Sequence, residues 1–271
     1  MKKKVLVLDI DGTLTNSKKE ITPATLEAIE KLQRRGHVVV LASGRPTAGL
    51  REMTKKLHFA ENGGYILSYN GGCVTYVPTG ETVFKNLLPD YVPQWMHAYA
   101  MEHDMGMCTY LDQDMLYGTQ TNRYLEYEAR INGINMTHVD SFEPYIHTDF
   151  YKVLLTATPT RAAELEKRLA HRFIGRLSIY RSEPYFIEVM PRGVNKASAI
   201  AGLLERLGLE REDTIACGDG LNDLSMIRYA GLGVAMGNAQ PEVKQAADII
   251  TKTNDEDGLV PVIEQYILNR D

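Results

Sequence analysis

The amino-acid sequence predicts an α/β fold, in which a doubly wound parallel sheet carries helices on both faces and is interrupted by a smaller α+β domain. Strand and helix patterns alternate over about the first ninety residues and again from residue 190 onward. The residues between these stretches alternate differently, and they contain the only tryptophan and most of the tyrosines. We therefore predict a discontinuous core, residues 1–82 and 190–271, and an inserted domain, residues 83–189.

The first predicted strand and helix have clear signals. Residues 5–8 are apolar at every position, as in a strand that is buried on both faces of a parallel sheet. Thr22 suits a helix N-cap, and Pro23 suits the first helical position. The apolar residues that follow keep the helical period until Gly36, which ends the helix.

The remaining core elements repeat this alternation. Residues 37–42 predict a second buried strand, and after a short helix residues 65–77 predict two strands around a turn at Asn70. Beyond the inserted domain, a helix over about 194–207 leads into further strands and helices. The predicted strands of this last stretch are 214–220, 232–237 and 248–253, and the last helix begins at 259.

The inserted domain mixes αβ and ββ units. Its predicted helices are about 91–103, 122–132 and 161–173. A strongly apolar strand is predicted over 150–158, and a hairpin over 177–189. This pattern indicates a small α+β layer.

Composition narrows the class of protein. The chain has 271 residues and a net charge of −5 without basic runs, which argues against nucleic acid as a partner. No apolar stretch approaches the roughly 20 residues of a membrane span, and the apolar run at the start is too short for a secretory signal. Three widely spaced cysteines fit a reducing compartment. We expect a cytoplasmic protein with neither a membrane nor a nucleic-acid partner.

Polar residues follow three of the predicted core strands. In an open α/β sheet, functional groups collect beyond the carboxyl ends of the strands, so these residues can form one site. The residues concerned are Asp9 and Asp11, Ser43, and Asp219 with Asn222 and Asp223, together with Lys196 at the start of a helix. Dense carboxylates suit Mg²⁺, and a magnesium site beside a lysine and a hydroxyl outlines a phosphate site. The chain contains no GxxxxGK[ST] loop of the nucleotide-binding type.

The spacing of Asp9 and Asp11 suggests a division of labour. Residues two apart on an extended chain point the same way, so both carboxylates can face one phosphorus atom. One can act as a nucleophile that forms an aspartyl-phosphate, and the other can exchange protons with the leaving oxygen and with water. Gly12 allows the sharp turn beneath them.

Four segments in this order resemble the signature motifs of the haloacid dehalogenase (HAD) superfamily: "DIDGT", "SGR", "GVNKASAI" and "GDGLND". The inserted middle and the later "GVAMGNA" are similar to the Cof-type (HAD-IIB) branch, whose C2-type α/β cap lies between the second and third motifs. The resemblance covers essentially the whole chain. It implies a Rossmann-like core with an inserted cap domain.

The resemblance implies roles for the charged residues of these motifs. Asp9 matches the nucleophile, and Asp11 matches the general acid/base, whose backbone carbonyl also binds the metal. Lys196 matches the lysine that neutralises the nucleophile and the phosphate. Asp219 matches the metal ligand of the fourth motif, while Asp223 matches the neighbouring acid that supports the metal ligands from behind.

Other positions are implied to bind the substrate. Ser43 and Gly44 match the phosphate-binding second motif, and Asn222 matches an amide that contacts the phosphate or supports those that do. Arg45 is either a substrate contact or a surface ion-pair residue. Asn70 is a turn former that also resembles the turn beside the catalytic site in this branch.

The expected activity is that of a Mg²⁺-dependent phosphatase that hydrolyses a small phosphorylated metabolite, with sugar phosphates as the leading class. Two alternatives stay open. Some relatives with similar caps are phosphomutases, and a protein that keeps the pocket could instead be a non-catalytic sensor of a phosphorylated metabolite. We expect a monomer or a weak homodimer.

Overall fold

The computed structural model describes residues 2–269 and divides into two compact units. The first contains the described residues up to Gly44, Arg51–Phe84 and the chain from Asn195 onward, and the second contains Arg45–Leu50 and Lys85–Val194. The sequence prediction placed the boundaries at 82–83 and 189–190. It did not associate Arg45–Leu50 with the inserted residues.

The first half of the first unit alternates strands and helices. Its elements are β1 (Val5–Leu8), α1 (Pro23–Arg34), β2 (Val38–Ala42), α2 (Arg51–Lys56), α3 (Phe59–Asn62), β3 (Tyr65–Ser68), β4 (Cys73–Tyr76) and β5 (Glu81–Lys85). As predicted, Thr22 caps α1, because its side chain accepts a hydrogen bond from the Thr25 N–H. The edge strand β5 was not predicted. Its residues are exposed or half-buried, so it lacks the apolar run that marks the central strands.

The second unit follows in the chain. Its elements are α4 (Tyr91–Glu102), β6 (Gly106–Leu111), β7 (Asp114–Tyr117), α5 (Arg123–Asn132), β8 (Asn135–His138), β9 (Val153–Thr156), α6 (Pro159–Arg172), β10 (Leu177–Glu183) and β11 (Phe186–Pro191). They form a six-stranded sheet of order β10-β11-β9-β6-β7-β8. The predicted hairpin is β10 and β11, and the strand predicted over 150–158 is the shorter β9.

The two faces of this second sheet differ in character. On one face, alternate residues such as Met107, Leu155 and Val189 pack in a single apolar core with residues of α4 and α6. On the other face α5 lies close to Gly106 of β6, where a Cβ would meet Asn122, the N-cap of α5, and Leu125 of α5. That face carries buried charged groups.

The last elements complete the first unit. They are α7 (Lys196–Leu207), β12 (Thr214–Gly218), α8 (Leu224–Tyr229), β13 (Leu232–Ala235), α9 (Pro241–Ala246), β14 (Ile249–Ile250) and α10 (Leu259–Ile263). The eight-stranded sheet has the order β14-β13-β12-β1-β2-β3-β4-β5. Strands β14 to β3 pair in parallel and β4 is antiparallel to β3, which confirms the predicted α/β class.

Strand β1 lies at the centre of this sheet between β12 and β2, and all four of its residues are fully buried. The carboxyl ends of three parallel neighbours therefore meet at one edge. Among residues 2–269, no helix is both long and apolar enough to cross a lipid bilayer.

Candidate active site

Asp9 is the first residue beyond β1 and is almost completely buried. Its N–H donates to the carbonyl of Cys217 on β12 (3.1 Å), and its own carbonyl accepts from the Leu14 N–H (3.2 Å). The chain then turns at Gly12, whose φ is +88°, a left-handed conformation that favours glycine. The Asp9 backbone is thereby fixed at the edge of the sheet.

Lys196 is the first residue of α7 and is fully buried. Its ammonium donates to Asp9 Oδ1 (2.6 Å), Asp223 Oδ1 (2.6 Å) and the carbonyl of Ala42 (2.7 Å). These three acceptors match the three N–H donors of an ammonium, so its orientation is determined. The start of α7 is itself stabilised by a capping box between Asn195 and Ser198.

Asp223 serves as a positioning carboxylate. Its Oδ1 accepts from Lys196, and its Oδ2 accepts from the N–H groups of Asp219 (3.0 Å) and Gly220 (2.9 Å). Gly218 is required nearby, because a Cβ at that position would lie 2.5 Å from the Asp223 Cβ. The turn that follows β12 is therefore built around the Asp223 side chain.

Asp219 lies against the turn that follows β1. Its Oδ1 accepts a hydrogen bond from the Thr13 hydroxyl (3.0 Å). A Cβ at Gly12 would lie 2.4 Å from Asp219 Oδ2, so glycine is needed there for space as well as for its φ. Residues separated by more than two hundred positions thus become direct neighbours.

Asp11 differs from Asp9 in its surroundings. Strand β1 ends at Leu8, so the alternation of an extended chain does not carry through to Asp11. Its carboxylate is 40% exposed and pairs with the Lys19 ammonium at 2.8 Å. The Asp11 carboxylate thus has a different cationic partner from the Asp9 carboxylate.

The polar residues after β2 are held by the turn after β3. The Ser43 N–H donates to Leu67 (2.8 Å), and the Ser43 carbonyl accepts from the Asn70 N–H (2.9 Å). Tyr69 and Asn70 both have φ of +52°, a left-handed conformation that asparagine tolerates and that is costly for tyrosine. A Cβ at Gly44 would touch the Asn70 side chain. Ser43, Gly44 and Asn70 therefore form one local group.

Two predicted residues stand apart from these. Asn222 lies in the short turn Leu221–Asp223, and its side chain is exposed. Arg45 belongs to the second unit, whereas Ser43 and Gly44 belong to the first.

The electrostatics of this cluster reflect burial. Burial and the nearby charge of Asp223 raise the pKa of Asp9 to about 8, although Lys196 acts in the opposite direction. Burial also raises the pKa of Asp219 to about 6. Burial lowers the pKa of Lys196, but the charges of Asp9 and Asp223 outweigh it and the net shift is upward. The lysine stays an ammonium, while Asp9 and Asp219 hold protons more tightly than free aspartate does.

The donor set fits a divalent cation that prefers oxygen. Carboxylate oxygens of Asp9, Asp219 and Asp223 lie within 4.8 Å of one another. Lys196 offers one positive charge to these three carboxylates, and a bound cation would offset the excess. Among the described residues, Oδ2 of Asp9 and Oδ2 of Asp219 make no hydrogen bond, so these two atoms are the natural ligands.

Sequence reasoning missed several residues of this cluster. Thr13 was part of a recognised motif but had no assigned role, although its hydroxyl bonds Asp219. Asn238, in "GVAMGNA", donates to the Gly12 carbonyl (2.8 Å). The motifs themselves held the signal for both. Lys19 and the carbonyl of Ala42 carried no signal, because neither residue type is distinctive.

Comparison with known proteins fits this geometry. The model of a family described as haloacid dehalogenase-like hydrolase matches residues 6–263. The chain belongs to this family. The fold of a haloacid dehalogenase-like hydrolase from Bacteroides thetaiotaomicron is similar, with a TM-score of 0.91 and 42% identity over 97% of this chain and 99% of that one.

Two further proteins that are similar to this chain have named activities. The 5-amino-6-(5-phospho-D-ribitylamino)uracil phosphatase YcsE of Bacillus subtilis is 31% identical over 98% of this chain and 96% of its own. The HAD subclass IIB sugar phosphatase BT4131 has a TM-score of 0.79 and 27% identity, covering 97% of this chain and 99% of its own. The resemblance to Cof-type HAD proteins is confirmed, and so is the prediction of a phosphoric monoester hydrolase.

Proposed function

We propose that this hydrolase is a Mg²⁺-dependent phosphatase of small phosphorylated metabolites, with sugar phosphates as the leading class, and that Asp9 is its nucleophile. The observation that carries the proposal is the pairing of Asp9 with Lys196, both buried at the carboxyl end of the central strand. The fixed ammonium orients the Asp9 carboxylate and offsets its charge beside an anionic phosphate. Two features beside this pair, the Asp219 carboxylate and the backbone of the turn that follows β1, suit a site that binds phosphate.

The reaction proceeds in two displacements. An Asp9 oxygen attacks phosphorus, and the bond between phosphorus and the leaving oxygen breaks as Asp11 gives that oxygen a proton. Water then attacks the aspartyl-phosphate and loses a proton to Asp11. The bond between Asp9 and phosphorus breaks, and inorganic phosphate leaves with the enzyme restored.

The remaining residues bind and orient. Lys196 fixes Asp9 and offsets its charge, while Asp223 holds Lys196 and the turn after β12. Ser43, Gly44, Asn222, Arg45 and Asn70 are assigned to binding of the substrate phosphate. When bound, Mg²⁺ would stabilise the charge of the phosphoryl oxygens, held by Asp9, Asp219 and the backbone carbonyl of Asp11.

The substrate class is supported by the relatives. One relative is named for a ribityl phosphate and another as a sugar phosphatase. The substrates in both names are phosphorylated polyhydroxy compounds. Selection of the leaving group is assigned to the inserted domain, as the resemblance to Cof-type proteins implies. A panel of hexose, pentose and polyol phosphates, each with and without Mg²⁺, identifies the preferred ester.

The test of the mechanism compares Asp9→Asn with Asp11→Asn. Asp9→Asn should lower phosphate release by at least about 10³-fold, because the nucleophile is lost. Asp11→Asn should still be phosphorylated by 4-nitrophenyl phosphate, whose leaving group needs no proton, and should then accumulate the aspartyl-phosphate, because the base for water is absent. Acid quenching followed by mass spectrometry of the Asp9 peptide detects it.

Three results would count against the proposal. Substantial turnover in Asp9→Asn rules out the covalent route. Isomerised sugar phosphate in place of inorganic phosphate assigns the phosphomutase alternative. Stabilisation by sugar phosphates without any product assigns the sensor.

A further inference from the structure

Lys19 forms a contact to Asp11 that none of the recognised motifs includes. Its ammonium lies 2.8 Å from Asp11 Oδ1, and the two side chains are 66% and 40% exposed. An ion pair this exposed contributes little to folding stability. Stability alone therefore does not account for the geometry that produces the pair.

The backbone that presents Lys19 is a tight hairpin turn. The Asn16 N–H donates to the Glu20 carbonyl, and the Lys19 N–H donates to the Asn16 carbonyl, both at 2.9 Å. The Asn16 side chain accepts from the N–H groups of Lys18 (2.9 Å) and Glu20 (3.0 Å). Four hydrogen bonds thus determine a turn of three residues.

Lys19 occupies the left-handed position of this turn, with φ of +63°. Glycine is the usual residue at that position of a three-residue hairpin loop, and an L-residue there is strained. A strained residue that its surroundings over-determine is a recurrent feature of functional sites. The strained backbone at this position therefore indicates a role for the Lys19 side chain.

A second loop holds the turn in place. The Ser17 N–H and hydroxyl both donate to the Asp255 carboxylate, at 2.8 and 2.6 Å. The Asn254 side chain donates to the carbonyl of Thr15 (2.9 Å). The turn therefore has a fixed position relative to the sheet edge.

The pocket beside this turn is better explained as scaffold than as a ligand site. Its lining includes Asn16, Ser17, Asn238 and Asn254. Each of these side chains already makes a hydrogen bond within the protein. Asn16 bonds the backbone of the turn and Ser17 bonds Asp255, while Asn238 bonds Gly12 and Asn254 bonds Thr15. These hydrogen bonds hold the turn on which Lys19 lies.

We propose that Lys19 is a positioning residue for Asp11: its ammonium holds the Asp11 carboxyl where it exchanges a proton with the leaving oxygen. This inference rests on the proposed function. The proposal assigns a role in proton transfer to the loop that follows β1, which contains Asp11 and Lys19. Asp9 and Lys196 keep their roles in bond formation. Lys19 itself touches no reacting atom in this scheme.

The experiment measures kcat/KM for two aryl phosphates that differ in leaving group. Phenyl phosphate needs a proton on its leaving oxygen, whereas 4-nitrophenyl phosphate needs almost none. Lys19→Met should lower kcat/KM for phenyl phosphate about tenfold, part of the 10²–10⁴-fold that proton transfer contributes, and for 4-nitrophenyl phosphate less than about threefold. Lys19→Arg should restore most of the loss, since it keeps a cation within reach of Asp11.

Two control variants separate positioning from folding and from net charge. Lys19→Gly supplies the residue that the turn prefers but no ammonium, so it should fold as stably as the wild type and yet show the same selective loss. Lys18→Met removes one charge from the neighbouring exposed residue, whose side chain makes no ion pair among residues 2–269, and should behave as the wild type. Thermal unfolding of every variant verifies the fold.

The outcomes are distinct. Equal losses with both esters, no loss in Lys19→Met, or the same selective loss in Lys18→Met would overturn the role of Lys19 while leaving the phosphatase proposal intact. Wild-type protein that hydrolyses neither ester would instead remove the proposed function. A selective loss in Lys19→Met and Lys19→Gly, with rescue in Lys19→Arg, supports the inference.

Discussion

At the scale of single residues, the chemistry of the site follows from an imbalance of charge. Three carboxylates, those of Asp9, Asp219 and Asp223, lie close together, and the buried Lys196 ammonium bonds two of them, Asp9 and Asp223. A buried carboxylate without a full counter-charge takes up a proton more readily, and the pKa values of Asp9 and Asp219 rise for this reason. The proposed metal would supply the charge that the protein leaves out.

Binding of Mg²⁺ should therefore release protons. Without a cation, Asp9 has a pKa of about 8 and Asp219 of about 6, so the site retains protons at neutral pH that free aspartate has already lost. The cation binds the carboxylate form, so protons leave on binding at pH 7, and few remain to leave at pH 9. Mg²⁺ affinity should rise with pH up to about 8.

Titration calorimetry at pH 7 in two buffers of different ionisation enthalpy measures the number of protons released. The Asp9→Asn variant is the control, because most of the release is expected from that residue. Equal proton release at pH 7 and pH 9 would contradict this account of the site.

Gly71 is a second residue whose effect can be predicted, and Gly36 provides its matched control. Both have positive φ, +108° and +80°, but a Cβ at Gly71 would lie 2.2 Å from the Asn195 carbonyl, whereas Gly36 has nothing within 4 Å. Gly36→Ala should cost about 1 kcal/mol for its backbone conformation alone. Gly71→Ala should cost well over 2 kcal/mol and also lower activity, since it displaces the peptide between Asn195 and Lys196.

Urea unfolding of the two alanine variants gives the free energies. Similar costs at the two positions would show that the contact between Gly71 and the start of α7 is easily relaxed.

At the scale of elements, the apolar runs and caps of the central sheet could be read from sequence, but the charged face of the second sheet could not. The Lys152 ammonium lies 3.4 Å from Glu188 Oε1, and both side chains are more than nine-tenths buried. The Tyr110 hydroxyl donates to Glu128 on α5 at 2.6 Å. Charged residues usually lie at the surface, so a sequence pattern predicts that these residues are exposed. Their burial results from the packing of a helix over them, which only the tertiary structure shows.

Lys152→Met should destabilise the protein by about 3–5 kcal/mol, because it leaves the Glu188 carboxylate buried without its cation. The double variant Lys152→Met/Glu188→Leu should recover much of this loss, since an apolar pair replaces the ion pair. Lys85 and Asp149 form an exposed pair in the same unit, at 2.7 Å, and Lys85→Met should cost less than about 1 kcal/mol. Guanidinium unfolding measures all three variants. A double variant no more stable than Lys152→Met would show that the pair has no such coupling.

The loop that follows β1 contains a second contact that the sequence could not predict. The "DIDGT" motif identified Asp9 and Asp11, yet the partner of Asp11 depends on a turn whose left-handed residue is a lysine. Sequence rules place glycine or asparagine at such positions, so a lysine there has no pattern to reveal it. Strand β5 was missed for a related reason, because a half-exposed edge strand lacks an apolar run.

At the scale of the whole molecule, distant motifs converge because of strand order. Strand β1 pairs with β12 on one side and β2 on the other, so residues that follow these strands share one edge. The motifs and their order along the chain were enough to predict which segments meet. They could not predict which side chain bonds which, because the hydrogen bonds of Lys196 depend on the exact depth of α7 against the sheet.

Each compact unit contains a buried thiol, which allows the effect of the proposed metal to be localised. Cys217 on β12 belongs to the first unit and Cys108 on β6 to the second, and burial raises the pKa of both thiols. Reaction with iodoacetamide needs the thiolate, so it reports opening of the surrounding structure. The cluster of Asp9, Asp219 and Asp223 lies wholly within the first unit.

At a concentration 100 times its Kd, Mg²⁺ should stabilise the first unit by about 2.7 kcal/mol and slow the labelling of Cys217 roughly 100-fold. Mass spectrometry of the cysteine peptides measures both thiols in one sample, and Asp219→Asn is the control in which protection should disappear. Labelling of Cys217 that does not respond to Mg²⁺ would place the metal outside this cluster. Equal protection of Cys108 would add that the two units open together, because a cation bound to carboxylates of one unit can protect the other only through shared unfolding.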